Sequence, residues 1–269
     1  MKNSGLRFDS FGRLIPEGLS TKANGTSRRY FKVNEARPNT ADIYAHIAEH
    51  LGQPDGLSLS EFQAKVAELY AQLAQDEQLQ NLDQCEPIPF ILPKGSIAAD
   101  LKASMALYVK GLSSSFGQAF PKNRFTDHSI DEWKDQFVIN PRSRAGRMAE
   151  LSQTESVVGL FLPSLSEYSV PAAYEAINQL PASLALSGFF DIASTLIGAP
   201  GYLINTGAYS PLLWATANIA DHQHGGFHFA AYGNDMTMNY RAHLSEVSEY
   251  WWSGLIIIHD SSTSSLLVK

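Results

Sequence analysis

No lysine or arginine occurs between Arg147 and Arg241, and this interval constrains the fold more than any other feature of the chain. It is rich in Leu, Ala, Phe and Gly, yet it carries Glu150, Glu155, Glu167, Glu175, Asp191, Asp221 and Asp235. A long apolar stretch without cations reads as the buried heart of a domain, because buried carboxylates need partners and cannot rely on water. Cations are concentrated elsewhere, in residues 1–40 and between Lys122 and Arg147. These two basic segments are expected to fold back over the core and partner its carboxylates.

The apolar interval does not read as a membrane span. Its most hydrophobic part, "ASLALSGFFDIASTLIGAPGYLI", is interrupted by Gly188, Asp191, Gly198 and Pro200, so no membrane partner is expected. The first residues, "MKNSGLRFDSFGRLIPEG", lack the apolar run of a signal peptide. Cys85 is the single cysteine, so neither an internal disulfide nor a thiolate zinc cage can form within one chain. These features together predict a cytoplasmic setting. A net charge of −7 argues against a nucleic-acid partner, since neutralising phosphates takes clustered cations. Charged residues make up 17% of the chain, below the ordinary ~25%, which is compatible with a homodimer that hides part of its surface.

Local patterns predict an α+β fold. "NTADIYAHIAEHLG" is a helix capped by Asn39 or Thr40 and ended by Gly52. "SLSEFQAKVAELYAQLAQ" repeats Phe62, Val66, Leu69 and Leu73 at helical spacing behind a serine cap. The two suggest an N-terminal helical hairpin. "SIAADLKASMALYVKGLSSSFG" is expected to be a helix capped by Ser96, "SIDEWKDQF" one capped by Ser129, and "VPAAYEAINQLP" one with Pro171 in its first turn. "EPIPFILPK" is extended, "ESVVGLFLP" is a strand stopped by Pro163, and "GGFHFAAYG" and "GLIIIHD" are strands. "NDMTMNYRAHLSEVSEYWW" reads as a helix between the last two strands, giving a C-terminal strand–helix–strand unit. The expected architecture is the helical hairpin packed on a core of helices around a small mixed sheet. Residues 1–85 would form the basic segment and hairpin, and 86–269 the core domain, or both one continuous domain.

Sites with chemistry are few. "DHQHGGFHF" gathers His222, His224 and His228 near Asp221. In an extended chain His222 and His224 share a face about 7 Å apart. Imidazole serves either as an acid–base group, its ordinary pKa being ~6.5, or as a ligand to iron or zinc. Arg142 and Arg144 in "NPRSRAGR" form a guanidinium pair suited to a carboxylate, with Arg147 beyond them. Arg28 and Arg29 flank Tyr30 and Phe31 and suit an aromatic, amino-acid-like ligand, and Trp252 in "EYWWSG" can line a pocket. Asp191 among Phe189, Phe190 and Ile192 is either a desolvated base or a helix cap. Glu86, beside Cys85, could face a cleft. Neither a dinucleotide fingerprint, a P-loop nor a nucleophile elbow occurs.

Three functions fit these residues. One is cofactor-free acid–base chemistry (condensation, cyclisation, isomerisation or elimination) on a small carboxylate-bearing substrate, with His222, His224, His228 or Asp191 moving protons and Arg28, Arg29, Arg142, Arg144 and Trp252 binding. Another is an iron or zinc enzyme built on His222, His224 and His228. The last is a non-enzymatic binding or assembly protein.

Overall fold

The computed structural model describes residues 7–34, 38–219 and 225–260. Its centre is one mixed sheet of eight strands: β1 (Ile88–Leu92), β2 (Phe125–Asp127), β3 (Val157–Ser166), β4 (Leu184–Leu186), β5 (Leu212–Trp214), β6 (Gly225–Tyr232), β7 (Asp235–Ala242) and β8 (Trp251–Ile258). Their order is β1-β3-β8-β5-β6-β7-β2, with β4 paired to β8 beside β5. The β2–β7 and β5–β8 pairs are parallel and the others antiparallel. Seven α-helices accompany the sheet among the described residues: α1 (Thr40–His50), α2 (Leu59–Gln75), α3 (Leu101–Ala119), α4 (Asp131–Asp135), α5 (Gly146–Ser152), α6 (Val170–Ile177) and α7 (Phe189–Gly198). The chain is α+β, and no described helix is long and apolar enough to cross a membrane.

The cation-free interval does form the core. All ten residues of α7 and all ten of β3 are buried. A helix apolar on every side can satisfy itself only inside, and α7 lies against β1, α1 and α3, with Ser194 Oγ donating to Ile91 O at 2.6 Å. The basic N-terminal segment folds back as expected: Leu14 N bonds Ser164 O, and Phe31 bridges to Tyr209. It partners the core carboxylates with neutral groups, however. Glu175 accepts from the backbone and hydroxyls of Ser20 and Thr21, and Glu167 accepts from Asn24 Nδ2 at 2.7 Å. Neutral donors satisfy the carboxylate oxygens without desolvating a second charge.

Helix caps hold where the signal is local. Asn39 caps α1, and Ser58 and Glu61 form a reciprocal capping box on α2. Ser58→Ala should lower stability by about 1 kcal/mol in urea denaturation; a loss under about 0.3 kcal/mol would leave the box without weight. Other boundaries shift. Asp100, not Ser96, caps α3, and Ser96 instead bonds Tyr108 inside the core. Ile130, not Ser129, precedes α4, with no side-chain cap. Strand β3 continues past Pro163 to Ser166 through a register shift, which absorbs a residue that cannot donate to a ladder.

The expected C-terminal helix is a strand. Residues 235–242 form β7, so the predicted strand–helix–strand unit is a β6–β7 hairpin followed by β8. Met236 and Met238 alternate with Thr237 and Asn239, a period of two that overrides a helical reading of the longer stretch. Tyr232 pairs with Asp235, leaving a two-residue turn whose first position, Gly233, has φ +62°. A tight hairpin demands that backbone, and glycine supplies it.

Candidate functional site

Strand β8 ends at the lip of an open groove of about 800 Å³, walled by α2, α5 and β4. Leu69, Met148, Leu184, Ala185, Ile256 and Ile258 give it an apolar floor. The strand pairing explains part of this: alternate residues of β8 point to one side, so Ile256 and Ile258 face the groove together. The volume lies within the ~300–1,000 Å³ usual for small-molecule sites.

Two polar clusters border this floor. His259 continues the β3–β8 ladder by donating its backbone N–H to Val158 O at 2.8 Å. Its ring Nε2 donates to Glu68 Oε2 of α2 at 2.7 Å. Because a carboxylate only accepts, Nε2 carries the proton in this bond. Nδ1 is buried and has no hydrogen-bond partner among the described residues. A histidine paired with a carboxylate is a common acid–base unit, and here the pair borders the groove with its exposed member, Glu68, and with Nδ1 out of contact with solvent. The second cluster is cationic. Arg147 Nε bonds Asp260 Oδ2 at 3.2 Å. Arg144, in the left-handed region at φ +64°, sends Nη1 to the carbonyls of Leu180, Pro181 and Leu184. Among the described residues it has no carboxylate within ion-pair distance. It therefore presents uncompensated positive charge at the groove wall.

The predicted site residues are scattered. His222 and His224, with Asp221, lie outside the described residues. His228 is on β6, buried, with its ring 5.1 Å from that of Trp214. Burial and the nearby Arg241 push its pKa down to about 3, so the ring is neutral at pH 7. Asp191 is fully buried in the first turn of α7, where it accepts from Gly188 N at 2.8 Å. Burial pushes its carboxyl up to about 8 against the pull of three backbone N–H groups. The N-cap of α7 is Gly188, so Asp191 is not the cap residue; from the third helical position its side chain reaches back to the Gly188 N–H, and it is desolvated there. Neither His228 nor Asp191 lines the groove.

Arg142 and Arg144 diverge. Arg142 sits 5.2 Å over the Tyr174 ring, in another cleft with Glu175 and His243. Arg28 is exposed and 3.7 Å from Glu249. Arg29 and Trp252 do meet, together with Cys85 and Glu86, in a narrow cavity at the other end of β8. Among the described residues, no three His, Cys, Asp or Glu side chains gather closely enough to hold a metal ion. Glu68 and His259 were not singled out from the sequence. The only trace they leave there is a histidine and an aspartate ending an apolar strand, in "GLIIIHD". No family model, no curated protein and no solved structure matches this chain.

Proposed function

We propose that the protein is an enzyme that moves a proton on a small carboxylate-bearing molecule, without a bound cofactor, in the groove between α2 and β8. Arg144, with Arg147 beside it, takes the carboxylate. The apolar floor takes an aromatic or aliphatic body. The His259–Glu68 pair accepts the proton as the substrate's C–H or N–H bond breaks and its electron pair stays on the substrate. Glu68 then faces an imidazolium and stabilises it. Condensation, cyclisation, isomerisation and elimination all contain this step.

The observation that carries the proposal is the 2.7 Å bond between His259 and Glu68 at the edge of a groove of ligand size. The test uses phenylacetate, phenylpyruvate and phenylalanine as probes in D2O. At least one is expected to perturb the amide signals of Ile256, Ile258 and His259 and to take up deuterium at the carbon beside its carboxylate. His259→Gln should slow that uptake by about 10²–10⁴-fold, while Arg144→Gln should chiefly raise the half-saturating concentration. Uptake unchanged in His259→Gln, or no probe perturbing the groove, would reject the reading.

A further inference from the structure

The narrow cavity at the opposite end of β8 is a second site, independent of the groove. Trp252, which lines it, is four residues from Ile256, about 13 Å along the strand. Its walls come from the N-terminal segment, from the turn before β1 and from the edge where β3 meets β8. Two guanidinium groups dominate it.

Arg13 is only 6% exposed, yet it has no carboxylate within ion-pair distance among the described residues. Its Nε donates to Ser166 O at 3.0 Å and its Nη2 to Asn24 O. Carbonyls satisfy those N–H groups without neutralising the charge. A buried cation without a counter-ion is costly. Arg29 repeats the pattern. Its guanidinium carbon lies 3.7 Å from the centre of the Phe11 ring, and its Nη1 is buried without a hydrogen-bond partner among the described residues. Arg29, too, has no carboxylate in ion-pair range among the described residues.

Lys32 adds a third cation, while Asp9 and Glu86 supply two acids. Asp9 is partly occupied, because its Oδ1 accepts from the backbone N–H groups of Phe11 and Arg13. The backbone is held in unusual conformations around the cavity: Arg29 at φ +52° and Glu86 at φ +63° are both non-glycine residues in the left-handed region. Strained residues of this kind gather where the surroundings fix a binding geometry. The enclosed space is about 40 Å³, which admits a small group and excludes a drug-sized body.

From these features we infer that the cavity binds a single oxyanion group, the phosphate or carboxylate of a small ligand, between Arg13 and Arg29. A planar fork meets such an anion with two N–H groups at once. The anion would supply the counter-charge that both arginines, and the acceptor that Arg29 Nη1, lack among the described residues. Trp252 would cover part of the pair and so strengthen it.

The test titrates inorganic phosphate and, separately, acetate into the full chain at constant ionic strength, reading heat of binding and melting temperature. Saturable binding of at least one anion is expected, with affinity reduced tenfold or more in Arg29→Gln. Arg144→Gln, in the groove, should leave this binding unchanged. Preference for phosphate would identify a phosphorylated ligand, and preference for acetate a carboxylate. Arg29→Lys separates fork geometry from charge: it should bind more weakly than wild type and more tightly than Arg29→Gln. Binding of neither anion, or equal affinity in Arg29→Gln, would overturn the inference.

Discussion

Asp191→Asn should remove a loss of stability of about 2 kcal/mol expected as pH rises from about 6.5 to about 8. The physical cause is burial. Asp191 is wholly inside, next to Tyr108, whose hydroxyl is itself pushed up by burial and by this carboxylate. Its folded pKa of about 8 lies far above the ordinary 3.8, so the folded protein keeps a proton that the unfolded chain releases. Between those values each pH unit costs about 1.4 kcal/mol of stability. The unpartnered Oδ1 is where that proton fits. His228 acts in the opposite sense. Its folded pKa of about 3 lies below the ordinary 6.5, so the unfolded chain takes up a proton that the folded protein refuses. Stability therefore rises with pH across that window.

The two slopes cancel from about pH 4 to about pH 6.5, leaving a plateau. Above it only Asp191 titrates, and stability should fall by about 2 kcal/mol before pH 8. Below about pH 4 His228 acts together with Glu61 and Glu175, whose hydrogen bonds to Ser58 and to Ser20 and Thr21 hold their carboxyls below the usual range, and stability falls again. Asparagine keeps an oxygen for the Gly188 N–H and cannot ionise. In Asp191→Asn the plateau should become a rise towards about pH 6.5, then stay level. In His228→Gln it should become a continuous fall from about pH 4 to about pH 8. Urea midpoints measured at half-unit pH steps decide the matter. A wild-type plateau that survives either substitution would mean that these groups do not carry the linkage.

The contrast between these buried groups and the groove explains what could be read before the structure. Helices α1, α2 and α6 were legible because their caps and apolar stripes lie within one or two turns of each other. Burial of the cation-free interval was legible because a missing charge type is a property of composition. Asp191 was legible in kind, since its neighbours in the sequence are also its surroundings in space. Strand β7 was misread because its period of two spans only residues 235–242, followed by "HLSEVSEYWW", which carries helical character. The His259–Glu68 pair joins residues 191 apart in the chain, and nothing local to either announces the other. Arg142 and Arg144, by contrast, are neighbours that a three-residue turn and a left-handed backbone send into different clefts. Proximity in sequence misled there as distance did at His259.

Gly12→Ala should be among the most damaging single-methyl changes in the chain, and it should also abolish anion binding in the narrow cavity. Gly12 has φ +75°, and a Cβ there would stand 2.4 Å from the backbone nitrogen of Cys85 and 2.7 Å from its Cβ. The obstacle is main chain at the turn leading into β1, which cannot swing aside as a side-chain tip can. Gly18 supplies the control: its φ is +72°, and nothing lies within 4 Å of a Cβ built on it. Gly18→Ala should cost about 1–2 kcal/mol, the penalty of the left-handed backbone alone. Gly12→Ala adds the displacement of packed backbone and should cost about 3 kcal/mol or more. The loop that must move carries Phe11, on which Arg29 stacks, and Arg13. Phosphate or acetate affinity should therefore fall with stability in Gly12→Ala and stay unchanged in Gly18→Ala. Urea denaturation and anion titration of the two variants side by side make the comparison. Equal costs would show that the close approach to Cys85 relaxes freely, and that the cavity wall is not held by it.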